Sequence, residues 1–200
     1  MTHAEHKDNV GAKLGMWLFL FTELLLFGGL FILYSVYLAR YPHEFGLAGR
    51  ELNVVFGTTN TVVLLTSSLF AAMAVTSVKR GERVTTLGLL GGTLACAGIF
   101  LVIKYVEWSA KIGHGLYPGS PKLAAGPPGE AVFFSIYYIT TGLHGLHVIV
   151  GGILLSWIAG KVKSGAIHAG DNVVLENGTL YWHLVDLIWI FIFPLYYLIL

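Results

Sequence analysis

The sequence predicts an all-α membrane protein, a polytopic bundle of five transmembrane helices. Two observations predict it. Of 200 residues, 56% are hydrophobic and only 12% are charged, whereas a soluble domain carries about a quarter of its residues charged. The mean hydropathy, +0.73, is correspondingly high. The charges are also bunched. Residues 52–78, 84–103 and 131–160 contain no Asp, Glu, Lys or Arg, 14–38 are interrupted only by Glu23, and 179–200 only by Asp186. A spanning helix needs about 20 predominantly apolar residues, which places helices near 15–38, 54–78, 85–106, 131–158 and 179–200. Barrel strands run about 10 residues with alternating polarity, a pattern absent here.

The helices form one membrane domain over 14–200, preceded by a polar cytoplasmic tail over 1–13. That tail (His3, Glu5, His6, Lys7, Asp8) lacks the layout of a cleavable signal peptide, so the first helix is expected to serve as its own insertion signal. The connections are Ala39–Asn53, the short basic Lys79–Arg83, Trp108–Glu130 and Gly160–Gly178. The Pro- and Gly-rich third connection reads as a turn-rich outer loop without helix. Gly28-Gly29, Gly88-x-x-x-Gly92 and Gly151-Gly152 are expected at helix contacts, where small residues let membrane helices approach. Pro194 is expected to kink or loosen the last helix. Tyr196 and Tyr197 beside it suit an interfacial aromatic belt.

Lys and Arg set the orientation. One side holds Lys7, Lys13, Lys79, Arg80, Arg83, Lys161 and Lys163. The other holds Arg40, Arg50, Lys111 and Lys122, with Lys104 near a helix end. Seven against five favours a cytoplasmic N-terminus and an outward C-terminus. Cys96, the only cysteine, lies inside the third span, so no intrachain disulfide can form.

The chemistry sits in the spans. Ionisable side chains are costly in hydrocarbon and mark functional candidates by default. Glu23 lies roughly 12 Å into the first helix, and His147 roughly 16 Å from the inner end of the fourth. His183 and Asp186 lie roughly 6 and 10 Å into the fifth. These depths allow one inner-half cluster of Glu23, His147, His183 and Asp186. His144 falls near the midplane, Glu107 at the outer end of the third helix, and Glu176 at the inner interface. Each has a structural reading beside the functional one. Glu23 is either a packed, hydrogen-bonded carboxyl or a proton-handling or lipid-headgroup group. His144 and His147 are interhelical donors or members of a proton or lipid site. His183 and Asp186, at i and i+3 on one helix face, are suited to orient one another. Trp182 and Trp189 read as packing or interface anchors, and the Thr58–Thr61 and Thr66–Ser68 runs as interhelical hydrogen-bonders. No metal site is expected: His3, His6, His43, His114 and His168 lie in the tail or connections, leaving too few intramembrane ligands. No phosphate loop, nucleophile elbow or nucleic-acid signature is present.

Four segments, taken in order, closely resemble subunit III of haem–copper terminal oxidases. They are Gly15-Met-Trp-Leu-Phe-Leu-Phe-Thr-Glu23, Lys104-Tyr-Val-Glu107-Trp, Thr141-Gly-Leu-His144-Gly-Leu-His147-Val, and Glu176-x4-Tyr-Trp-His183-Leu-Val-Asp186-Leu-Ile-Trp189. The chain is similar to the compact five-helix bacterial form, which lacks two N-terminal helices of the longer one. The resemblance implies a non-redox subunit of a bacterial plasma-membrane oxidase, without haem, copper or catalytic residues of its own. The haem and copper lie in the partner subunit. It further implies packing against subunits I and II, bound phospholipid, cytochrome c as electron donor to the complex, and support of proton uptake. Glu23 falls on the family's buried carboxylate and His147 on the second histidine of its helix motif. Rival readings are a quinol-oxidase subunit III, an accessory protein of a nitric oxide reductase system, and a small proton-coupled transporter or b-type haem protein. Glu rather than Asp at position 23 leans towards the cytochrome c type, by resemblance.

Overall fold

The computed structural model describes residues 8–198; residues 1–7 of the expected tail lie outside the described residues. Seven helices follow in order: α1 (Asn9–Arg40), α2 (Pro42–Arg50), α3 (Val54–Lys79), α4 (Arg83–Gly113), α5 (Pro121–Ala125), α6 (Pro128–Ser164) and α7 (Val173–Tyr197). Five of them, α1, α3, α4, α6 and α7, are long and apolar enough to cross a membrane. The chain is all-α, with five membrane-crossing helices, as its charge-free runs require.

The helices overrun the expected bounds, and proline is the main reason. Pro42, Pro121 and Pro128 each stand at the start of a helix, where the missing N–H has no partner to lose. The Ala39–Asn53 connection therefore contains α2. The Trp108–Glu130 connection holds the end of α4, all of α5 and the first turn of α6, so the helix-free loop expected there is corrected. Asp8 caps α1 by accepting from the Gly11 amide at 2.7 Å, which draws Asn9–Lys13 into helix rather than tail. Asn53 caps α3 through Val55 and Phe56. Gly81, at φ +77°, turns the chain between α3 and α4, a conformation that favours glycine. α7 runs through Pro194 as one helix.

α3, α4, α6 and α7 close a four-helix ring, each packed on the next: α3 on α4, α4 on α6, α6 on α7, and α7 on α3. α1 lies outside this ring over the α6–α7 seam, with α2 against α6 and α5 on α6. Close approach needs glycine at several points. A Cβ at Gly151 of α6 would lie 2.8 Å from the Trp182 ring, and one at Gly57 of α3 would lie 2.8 Å from Phe193. Gly92 meets Phe70 in the same way, whereas a Cβ at Gly28, Gly29 or Gly88 would meet open space. Tyr196 and Tyr197 are not belt residues. Both are buried, Tyr196 bonded to Thr140 and Tyr197 to a buried carboxylate. Trp182 and Trp189 are core residues that donate to Ser67 and Thr61 of α3. Thr58, Thr59 and Thr66 instead bond carbonyls one turn back in their own helix.

The N-terminal ends of α1 and α7 and the C-terminal end of α3 meet at Glu176. Its carboxylate lies 2.8 Å from Lys13 and 2.7 Å from Lys79, and Asn177 donates to the Ala12 carbonyl. α1 is otherwise held by few buried side chains, Leu20, Phe27 and Tyr34. Glu176→Gln should therefore raise amide exchange selectively in the first turns of α1. Hydrogen-exchange mass spectrometry that finds α1 unchanged would place its anchorage elsewhere.

Candidate functional site

Glu23 on α1 and His147 on α6 are joined at 2.9 Å between Oε2 and Nε2. The other ring nitrogen, Nδ1, lies 2.7 Å from the Leu143 carbonyl. A carbonyl only accepts, so Nδ1 carries a hydrogen and donates it. Nε2 and the carboxylate must then share one proton: either a carboxylic acid donates to Nε2, or an imidazolium donates to the carboxylate. The pair is partly open, with side-chain exposures of 14% for Glu23 and 13% for His147. Phe27 stacks edge-on against the imidazole at 5.3 Å, and the Tyr181 hydroxyl donates to the His147 carbonyl. The result is a protonatable pair on the α1–α6 seam with its imidazole fixed in position.

His183 and Asp186 do not join this pair. His183 Nδ1 lies 2.7 Å from the Ser68 hydroxyl of α3, on the other side of α7 from Tyr181. Asp186 is buried beside Ser67 and Ser68. The expected mutual orientation of His183 and Asp186 is thus replaced by contacts to α3. The proposed inner cluster divides in two, Glu23 with His147 on the α1 face and His183 with Asp186 on the α3 face. His144 is fully buried between the Phe100 and Trp189 rings, at 5.4 and 5.2 Å. Glu176 forms the clamp with Lys13 and Lys79 described above.

Glu107 belongs to a network that the sequence reading did not assemble. Lys104, counted there only as an orientation charge, is buried in the core. Its Nζ donates to Glu107 Oε2 at 2.8 Å, Tyr197 at 3.0 Å and Tyr137 at 3.1 Å, which uses all three ammonium hydrogens. Tyr197 in turn donates to Glu107 at 2.8 Å. The Tyr137, Trp189 and Tyr197 rings surround the ammonium at 5.2–5.7 Å, within cation–π range. The legible signal was the i, i+3 spacing of Lys104 and Glu107 on one helix face. Beyond Glu107 a pocket of about 220 Å³ opens at the loop end, lined by Glu51, Asn53, Lys111 and His114.

Two grooves flank α1. One of about 340 Å³ is lined by Trp17, Phe21, Leu24, His183 and Leu187, and one of about 240 Å³ by Leu24, Phe27, Phe31, Leu187 and Phe191. They share Leu24 and Leu187 and so form one apolar trough along α1 and α7. Among the described residues, no three His, Cys, Asp or Glu side chains gather as a metal-ligand set.

Residues 2–199 match the family described as cytochrome c oxidase subunit III. The chain belongs to that family. It is 31% identical to a cytochrome c oxidase subunit 3 of Thermostichus vulcanus, covering 98% of this chain and 90% of the relative. It is 25% identical to a cytochrome bo(3) ubiquinol oxidase subunit 3 of Pseudomonas aeruginosa, covering 96% and 87%. It is 33% identical to a heme-copper oxidase subunit I+III of Aeropyrum pernix, where 96% of this chain spans 23% of the relative. The chain is thus a subunit III of a haem–copper oxidase, a multi-pass membrane protein whose complex includes partner subunits.

Breaking a buried ion pair by removing one partner costs roughly 3–5 kcal/mol, whereas an apolar replacement of both is far milder. Glu107→Gln should therefore destabilise the subunit strongly, and Lys104→Met with Glu107→Leu should restore much of the loss. Thermal unfolding of the purified complex checks this. A single variant as stable as the parent would show that the network holds nothing together.

Proposed function

We propose that this chain is the non-redox subunit III of a proton-pumping aerobic oxidase that transfers electrons from cytochrome c to oxygen, forming water. The haem and copper belong to the catalytic partners, subunits I and II, and this chain supports proton uptake and the lifetime of subunit I. The observation that carries the proton role is the Glu23–His147 pair. It shares one proton between two groups, is fixed by the Leu143 carbonyl, and is partly open at the surface of the bundle. A carboxyl–imidazole pair of this kind takes up and releases a proton without leaving a bare charge in the membrane. The orientation that fits is a cytoplasmic N-terminus in a bacterial plasma membrane, which puts Glu23 and His147 on the side from which protons are taken.

Bound phospholipid fits the α1–α7 trough. Its walls are apolar along Leu24, Phe27 and Leu187, and Lys13 and Lys79 stand at its inner end beside Glu176, where basic side chains attract anionic headgroups. A quinol donor is the second reading, favoured by the similarity to a ubiquinol oxidase subunit 3. Oxygen consumption by the purified complex with reduced cytochrome c or with ubiquinol as sole donor separates the two.

Glu23→Gln should leave assembly and the visible spectrum of the complex intact while slowing proton uptake or shortening the number of turnovers before inactivation. Unchanged proton uptake and unchanged lifetime together would sink the proton role. Leu187→Trp, which fills the trough, should lower the phospholipid retained through detergent washing, measured as organic phosphorus. Full retention would contradict lipid in this groove.

A further inference from the structure

The interior of the α3/α4/α6/α7 ring contains polar side chains that the oxidase reading leaves unused. Asn60 on α3 and His144 on α6 are both 0% exposed. Neither the amide atoms of Asn60 nor the ring nitrogens of His144 have a hydrogen-bond partner within the protein.

The helix register brings Asn60 and His144 to one level. Thr93 of α4 bonds the Ser67 carbonyl of antiparallel α3, so Asn60, seven residues before Ser67, stands level with Phe100, seven after Thr93. Thr61, the neighbour of Asn60, accepts from the Trp189 indole. Phe100 and Trp189 meet at 4.9 Å, and both contact the His144 ring. Asn60 and His144 therefore belong to the same aromatic layer.

The neighbouring polar side chains are already engaged. Lys104 spends its three hydrogens on Glu107, Tyr137 and Tyr197. Thr61 donates to Gly57, Thr141 to Tyr137, and Ser67 to Leu64. Ser68 is paired with His183. Hydrocarbon outside the ring supplies no partner, and buried polar groups in folded proteins find one, in protein or in ordered water. A neutral imidazole offers one donor and one acceptor, and an amide offers both. Water is the small ligand that serves all of these at once.

We propose that the core of the ring is a binding site for internal water, held by Asn60 and His144 in the Phe100–Trp189 layer. It stands independently of the proton role of Glu23.

X-ray radiolytic hydroxyl labelling of the intact purified oxidase tests the proposal, because buried side chains are labelled only where bound water generates the radical beside them. Phe100 and Trp189 should be oxidised several-fold faster than Phe133 and Phe134, which are equally buried. Equal, background labelling at all four would overturn the site. Asn60→Leu and His144→Phe supply a second measurement. Where water is bonded, each substitution lowers the thermal midpoint and the two effects are not additive. A raised midpoint in either variant would mean that the polar atoms are simply unpaired and would also overturn it. Should neither variant assemble, the labelling of the parent complex decides.

Discussion

The bundle depends on a single buried ion pair, Lys104 with Glu107. An ammonium and a carboxylate in the middle of apolar helices are tolerable only if every hydrogen and lone pair is met from within. Here they are met by Tyr137 of α6 and Tyr197 of α7, with Trp189 closing the cage. One pair on α4 thereby fixes the positions of two other helices at the same depth. The large aromatic side chains of α7 follow from this, since they face inward towards the ammonium and towards the glycines that make room for them, Gly57 and Gly151.

Against that rigid ring, the Glu23–His147 pair is of a different kind. It is placed at the rim, between α6 and the loosely held α1, and it has one proton for two basic positions. The Lys104 network is satisfied in a single arrangement and does structural work. The Glu23 pair admits two arrangements, a carboxylic acid donating to Nε2 or an imidazolium donating to the carboxylate. The same contrast separates His147, fixed by a backbone carbonyl, from His144, which is locked between rings.

Much of the fold was legible because charge-free runs report directly on hydrocarbon. The ends of the helices were not, since proline reads equally as a stop or a start, and only the direction of the hydrogen-bonded turn decides between them at Pro42, Pro121 and Pro128. Depth along a helix was also legible, and it correctly allowed Glu23 to meet His147. Depth carries no lateral information, so it grouped His183 and Asp186 with them although α7 turns those two towards α3. Lys104 and Tyr197 escape the sequence for a related reason: the charge-free run ends at Lys104 and α7 ends at Tyr197, charge and aromatic side chains at such ends usually mark the interface, and nothing in the local pattern reveals that the two meet in the core.

The central claim is that this chain works as one part of a haem–copper oxidase. The most direct measurement is its purification from native membranes in mild detergent, read by visible spectrum and subunit masses. The account predicts a large haem- and copper-containing subunit at constant ratio, with oxygen reduction in the eluate. A chain that leaves well-solubilised membranes alone and colourless would contradict it.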